Sequence, residues 1–281
     1  PDILPEALAA AKAIQDEYSR VIALSALADK LPDILPEALA AAKAIQDEYS
    51  RVIALSALAD KLPDILPEAL ATAKAIQDEY SRAEALSALA DKLPELLPEA
   101  LATAKAIQDE YSRAEALSAL ADILPDILPE ALAAARAIQD ERYRAEALSA
   151  LADILPPEFL PEVLAAARTI QHESSRAKVL SALADKLPPE LLPEALAAAR
   201  AIQDAYFRAI ALSALAESLS QMTSTELFPL WQDTLHKLSL RTRPNLLQDI
   251  KALFPVIFAL GGEAATVEIA RAIVDVGRWW K

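Results

Sequence analysis

The 281-residue chain contains no cysteine, two histidines, one methionine and three glycines, and only 5% of it is aromatic. Without cysteine it has no disulfide, no thiolate metal ligand and no thiol nucleophile, which fits a reducing compartment. His172 and His236 stand about two repeats apart, lack the spacing of a metal pair, and read as exposed helix-end residues. A phosphate loop needs glycines where backbone N–H groups approach the phosphates. The repeats have none, and Gly261-Gly262 lacks the Lys and Ser or Thr that would have to follow, so it reads as a helix stop. No nucleotide, metal or other cofactor is expected, and no catalytic residue is assigned. No apolar run approaches the roughly 18 residues of a spanning helix, nor does a basic stretch precede an apolar one at the start. The expected location is the cytoplasm. Positive charge is also scarce, with 27 Lys and Arg against 42 Asp and Glu, a net charge of −15. That balance argues against nucleic acid and against an anionic membrane as partner.

What the chain does have is alanine and leucine. At 54% apolar content with few β-branched residues, the composition predicts a folded, helical protein without strands. Self-similarity appears at a period of 31 residues. Copies open at Pro1, Pro32, Pro63, Pro94 and Pro125, and the first two are identical, PDILPEALAAAKAIQDEYSRVIALSALADKL. Copies six and seven, from Pro156 and Pro188, double the opening proline, which puts the extra residue in a loop. Because the chain opens on Pro1 at a repeat boundary, it is expected to be cut from a longer protein.

Each copy predicts two helices, so the fold class is all-α, an α-solenoid of helix-turn-helix hairpins. Helix A starts with Asp33 as cap and Pro36 in its first turn, carries a stripe of Leu35, Leu39, Ala42 and Ile45, and ends near Gln46 or Asp47. Helix B is predicted to open with a capping box, Ser81 to Glu84 and Ser112 to Glu115 in copies three and four. Its stripe is Leu86, Leu89 and Ala90, and the next proline ends it. At about 11 residues it is too short to persist alone. The prolines are expected in the loops between hairpins.

From Gln221 the pattern degrades, and all three glycines and tryptophans (Trp231, Trp279, Trp280) fall here. Glu226–Pro229 still matches Glu190–Pro193, Arg243–Ile250 tracks Arg208–Leu215, and Ala270–Asp275 repeats Ala199–Asp204. The expected organisation is therefore seven repeats over residues 1–219 and, over 220–281, a degenerate eighth hairpin plus a final helix that caps the apolar end of the array.

Two recurrent positions are candidate sites. Arg20, Arg51, Arg82, Arg113, Arg144, Arg176 and Arg208 occupy one register of all seven copies. They could grip phosphates or acidic peptides. The structural alternative is favoured, because helix-end carbonyls and the neighbouring Asp and Glu need partners in any case. The second position holds Ile22, Ile53, Glu84, Glu115, Glu146, Lys178 and Ile210. A site that accepts Ile, Glu and Lys is not core, so it is the candidate partner-facing surface. Tyr18, Tyr49, Tyr80, Tyr111 and Tyr206 form a broken row at the same edge, where turn packing is favoured over stacking of a ligand.

The run LPPELLPEALAAARAIQD (Leu187–Asp204), the later WQDTLHKLSLRTRPNLLQDIKALFPVIFALGG and the closing DVGRWW resemble the C-terminal helical repeats of cyanobacterial and related bacterial STAND NTPases, signalling ATPases with NACHT or NB-ARC modules. The resemblance covers essentially the whole chain. It implies a non-catalytic sensor arm that binds a protein or peptide ligand, with the nucleotide-binding module upstream as its partner in the parent protein. It brings no residue-level ligand site. A structural spacer or oligomerisation scaffold, and a designed consensus repeat, are the alternatives.

Overall fold

The computed structural model describes the backbone of all residues except 1, 2, 29, 91, 93–96, 122, 280 and 281, and side chains except those and 90 and 276–279. Among the described residues there is no strand. Copy one forms α1 (Leu4–Ala13) and α2 (Glu17–Ala28), copy two α3 (Leu35–Ala44) and α4 (Glu48–Ala59), copy three α5 (Leu66–Ala75) and α6 (Glu79–Ala90), and copy four α7 (Leu97–Ala106) and α8 (Glu110–Ala121). Copy five gives α9 (Leu128–Ala137) and α10 (Glu141–Ala152), copy six α11 (Leu160–Thr169) and α12 (Glu173–Leu183), and copy seven α13 (Leu192–Arg200) and α14 (Ala205–Ser220). Odd numbers are helix A and even numbers helix B. The fold is an α-solenoid of helical hairpins. Of the expected loop prolines, Pro32, Pro63 and Pro125 open single 3-10 turns, while Pro1 and Pro94 lie outside the described residues, as does the side chain of Ala90.

Two expectations at helix starts need correction. Asp33 caps nothing: it sits inside the turn Pro32–Ile34, and α3 begins after Ile34 with Pro36 in its first turn. The proline already removes an orphan N–H, so the helix needs no side-chain cap there. Likewise Ser81 and Ser112 are not caps. Asp78 and Asp109 are, accepting the backbone N–H groups of Ser81 (2.7 Å) and Ser112 (2.8 Å). The serines therefore lie in the first turn, and Glu84 and Glu115 one turn further in. Helix A also ends at Ala44 in copy two, two or three residues before the expected Gln46 or Asp47.

The chain forms two compact units, Pro1–Ala134 and Ala135–Lys281. In the first, α2, α4 and α6 each pack chiefly on helix A of the next copy and less on the next helix B. Within the second, the B helices α10, α12, α14 pack chiefly on one another, and the doubled prolines Pro156-Pro157 and Pro188-Pro189 stand in those linkers. The core is Leu and Ile separated by Ala: Val52, Leu55, Leu58 and Ala38 in copy two, and Leu180, Leu183, Val163 and Ala167 in copy six, are almost fully buried. Small alanines at these positions let helix axes approach closely.

The C-terminal segment belongs to the second unit. It consists of α15 (Ser224–Ser239), α16 (Arg243–Ala252) and α17 (Phe254–Trp279), the last broken at Gly261 and Gly262. Gly262 has φ +59° and ψ −150°, a conformation only glycine adopts readily, which is why the helix stops and restarts there. The matched stretches of sequence fall in α15, α16 and the second half of α17. Leu253, Val256 and Ile257 are buried, and α17 packs on α14 of copy seven. Phe254 and Phe258 on the other side of the same turns are exposed, as is Leu240. No single described helix is long and apolar enough to cross a membrane.

Candidate functional site

The arginine register works inside the turn. Arg20, Arg51, Arg82, Arg113 and Arg144 donate from Nη1 to the carbonyls of Ile14, Ile45, Ile76, Ile107 and Ile138 at 2.6–2.9 Å. Arg176 reaches Ile170 through Nε at 2.8 Å. Each isoleucine ends helix A of the same copy, so the guanidinium satisfies a carbonyl that has no partner within the helix. Of the expected pairings with turn carboxylates, Arg144 stands 3.4 Å from Glu141, and the charges of Arg20, Arg51, Arg82 and Arg113 help to hold Asp16, Asp47, Asp78 and Asp109 ionised.

Opposite it, Asp16, Asp47, Asp78 and Asp109 cap helix B. Hydrogen bonds from Ser19, Ser50, Ser81 and Ser112, side chain and backbone, hold these carboxyls below the usual aspartate range. In copies five and seven Asp140 and Asp204 do the same for the N–H groups of Arg142 and Tyr143, and of Tyr206 and Phe207. Copy six has His172 there instead, exposed, with Nδ1 3.0 Å from the hydroxyls of both Ser174 and Ser175. His236 lies exposed in the last turn of α15.

Copy seven extends the arginine theme. Arg208 is fully buried, donates to the carbonyls of Ile202 (2.9 Å) and Gln203 (2.8 Å), and directs Nε at both oxygens of the equally buried Asp249 in α16 (2.9 and 3.0 Å). Burial pushes the Asp249 carboxyl up, while the Arg208 bond and charge pull it down. Arg241 stands close by, and burial, together with the Arg208 charge, lowers its affinity for its proton. It donates to the Arg200 carbonyl at 2.8 Å.

Two ladders escaped the sequence reading. The basic residue late in helix A pairs with the first-turn glutamate of the next helix A: Lys12 with Glu37 (2.8 Å), Lys43 with Glu68 (2.6 Å), Lys74 with Glu99 (3.0 Å) and Lys105 with Glu130 (3.0 Å). Arg136 with Glu162 and Arg168 with Glu194 continue the pattern in the second unit. The first glutamate of helix B in turn accepts backbone N–H groups from the next turn. Glu79 receives that of Gln108 (3.1 Å), Glu141 those of Gln171 and His172, and Glu173 those of Gln203 and Asp204. Burial opposes ionisation of Glu141, but the two N–H groups prevail and hold it low. Lys or Arg at register 12 followed by Glu 25 or 26 residues on was the signal available.

The partner-facing candidates fall on exposed or half-buried faces of the B helices. Ile22 is 38% exposed and Ile210 39%, and Ile53, Glu84 and Glu115 are half-buried. Glu146 and Lys178 are exposed and face each other at 3.4 Å. Glu84 accepts a hydrogen bond from Tyr49 and Glu115 one from Tyr80. Burial first, then the Glu84 charge and bond, push the Tyr49 hydroxyl up to about 12, and Tyr80 is raised by the same causes. Nothing in this row is arranged as an acid, base and nucleophile. Among the described residues no three His, Asp or Glu side chains gather as a metal site. A cavity of about 260 Å³ lies in the C-terminal segment between Trp231, Leu247, Ile250 and Ile273, with an almost wholly apolar lining.

No protein-family model and no curated protein matches the chain. Among solved structures it is similar to the crystal structure of Ton1535 from Thermococcus onnurineus NA1, at 17% identity over 90% of this chain and 94% of that one, with a TM-score of 0.39. It is also similar to a protein from the computational design of self-assembling cyclic protein homooligomers, at 18% identity over 96% and 93% of the two chains, with a TM-score of 0.14. Neither likeness carries an argument about function, and the fold stands on the helices themselves.

Proposed function

We propose that the chain is a non-catalytic interaction module, the ligand-sensing arm of a STAND signalling ATPase acting in the cytoplasm. The observation that carries the interaction reading is where the repeated polar side chains go. The turn arginines hold carbonyls, the turn aspartates cap helices and the helix-A charges pair across copies, whereas the register of Ile22, Ile53, Glu84 and Glu115 lies on exposed or half-buried helix faces and turns from apolar to acidic between copies. The STAND assignment rests on the sequence resemblance of the C-terminal segment. Its test begins with the coding region upstream of Pro1, where a G-x-x-x-x-G-K-[ST] loop is expected. Deleting this region from the parent protein should change its ATPase activity and abolish partner capture. Unchanged activity with no partner captured by the intact protein would overturn the assignment. The exposed Phe228, Phe254 and Phe258 favour a second reading, an assembly scaffold. A stable oligomer of the isolated chain in sedimentation would support it.

A further inference from the structure

In the first unit α2, α4, α6 and α8 lie side by side, each in contact with the next. The hydroxyls of Ser25 and Ser56 reach across to the carbonyls of Ala57 (3.5 Å) and Ala88 (3.3 Å) of the following helix. The tyrosine and the variable residue of each copy are four apart and so share a helix face. Read in order, the face presents two apolar rungs, Ile22 and Ile53, then two anionic rungs, Glu84 and Glu115, with tyrosine rings at each step.

The change is localised. Copies two and three differ at three positions only: Ala41 becomes Thr72, Val52 becomes Ala83 and Ile53 becomes Glu84. Only the last falls on this face, since Val52 and Ala83 are both fully buried in the core. Both glutamates are half-buried, accept only tyrosine hydroxyls, and form no ion pair among the described residues. The nearest cations in sequence, Arg82 and Arg113, are engaged by the Ile76 and Ile107 carbonyls. By contrast Glu146, at the same register in the second unit, has Lys178. Partly desolvated carboxylates without a cation, flanked by aromatic rings, complement a cationic side chain: the carboxylate takes its N–H groups and the tyrosine its apolar stem or guanidinium face.

We infer that this row docks an extended peptide with apolar side chains in one half and Lys or Arg in the other, the cationic half lying on Glu84 and Glu115. Packed helices are about 8–10 Å apart and an extended chain advances about 3.3 Å per residue, so one rung corresponds to about three residues and the row to about 12. Peptide side chains should therefore repeat at about every third position. The inference rests on the interaction-module reading and gives it a ligand chemistry.

The test uses a displayed library of random 12-residue peptides selected on the full chain. Three proteins are compared: the wild type; Glu84→Ile with Glu115→Ile, which installs the residue copies one and two already tolerate; and Asp64→Asn with Asp126→Asn, which removes the same charge from exposed 3-10 turns. Enriched peptides are expected to carry spaced Lys or Arg in one half and apolar residues in the other. They should bind the double-Ile protein about tenfold or more weakly and the double-Asn protein nearly as well as wild type, a loss of about one decade in Kd being the scale of one charge-assisted contact. Peptides that bind the double-Ile protein unchanged, or that carry no basic residues, overturn the row as the site while leaving the interaction reading intact. No enrichment at all overturns the inference, and the deletion experiment on the parent protein then decides the broader reading separately.

Discussion

Asp47 and Arg51 sit four residues apart and serve opposite ends of the same turn. Asp47 accepts the Ser50 N–H at the start of α4, and Arg51 donates to the Ile45 carbonyl at the end of α3. Replacing Asp47 with Ala should cost about 1 kcal/mol in urea unfolding, the usual loss for an N-cap. The Asp47 carboxyl is depressed on folding, so its contribution is present above its unfolded value of about 3.9 and is lost as pH falls through the lower folded value. The stability gap between wild type and Asp47→Asn should therefore be constant above about pH 4 and shrink below it. A gap that widened on acidification would contradict the assigned cap. Arg208 is the harder case, because its partner Asp249 is buried with it. Arg208→Met should cost about 3–5 kcal/mol by stranding a buried carboxylate, and adding Asp249→Leu should recover much of that. Strict additivity of the two changes would show that the pair is not coupled.

At the scale of elements, helix B has 12 residues in copies one to five and stands by packing its leucines against neighbouring copies. Leu89 in α6 is fully buried, so Leu89→Ala should cost about 2–5 kcal/mol, and a loss below about 0.5 kcal/mol in chemical denaturation would mean the stripe is misassigned. Both helices of each copy were legible because Leu and Ile recur at helical spacing and proline marks each entry. Their caps were less so. Ser81 to Glu84 fits the capping-box spacing, but spacing alone cannot say which residue stands outside the first turn, and Asp78 does. A real Thr–Glu arrangement occurs at Thr223, whose N–H and hydroxyl both donate to Glu226 (3.3 and 2.7 Å). The glutamate and lysine ladders stayed hidden because their partners meet only once successive copies stack. The outward-facing register was readable from its tolerance of Ile, Glu and Lys, whereas its tyrosine hydrogen bonds needed coordinates. Gly262 makes a further check: Gly262→Ala should cost about 1–3 kcal/mol through its left-handed backbone. Hydrogen exchange should show the loss concentrated in the second half of α17.

For the molecule as a whole, the governing idea is that no hairpin is stable by itself and that each is held by its neighbour. The residues after Ser220 supply the neighbour of copy seven: α16 and α17 both pack on α14, Leu253, Val256 and Ile257 are buried, and Asp249 closes on Arg208. Solenoid stability is close to a sum of repeat terms and nearest-neighbour interfaces, so removing one end should be felt at that end. The direct measurement is hydrogen exchange with light scattering on the chain truncated after Ser220. Copy seven should lose protection in α13 and α14, self-association should appear as Leu212, Leu215 and Leu219 are uncovered, and α4 and α6 should exchange as in the full chain. A truncated chain that stays monomeric with α14 as protected as before would contradict the account, because copy seven would then need no neighbour.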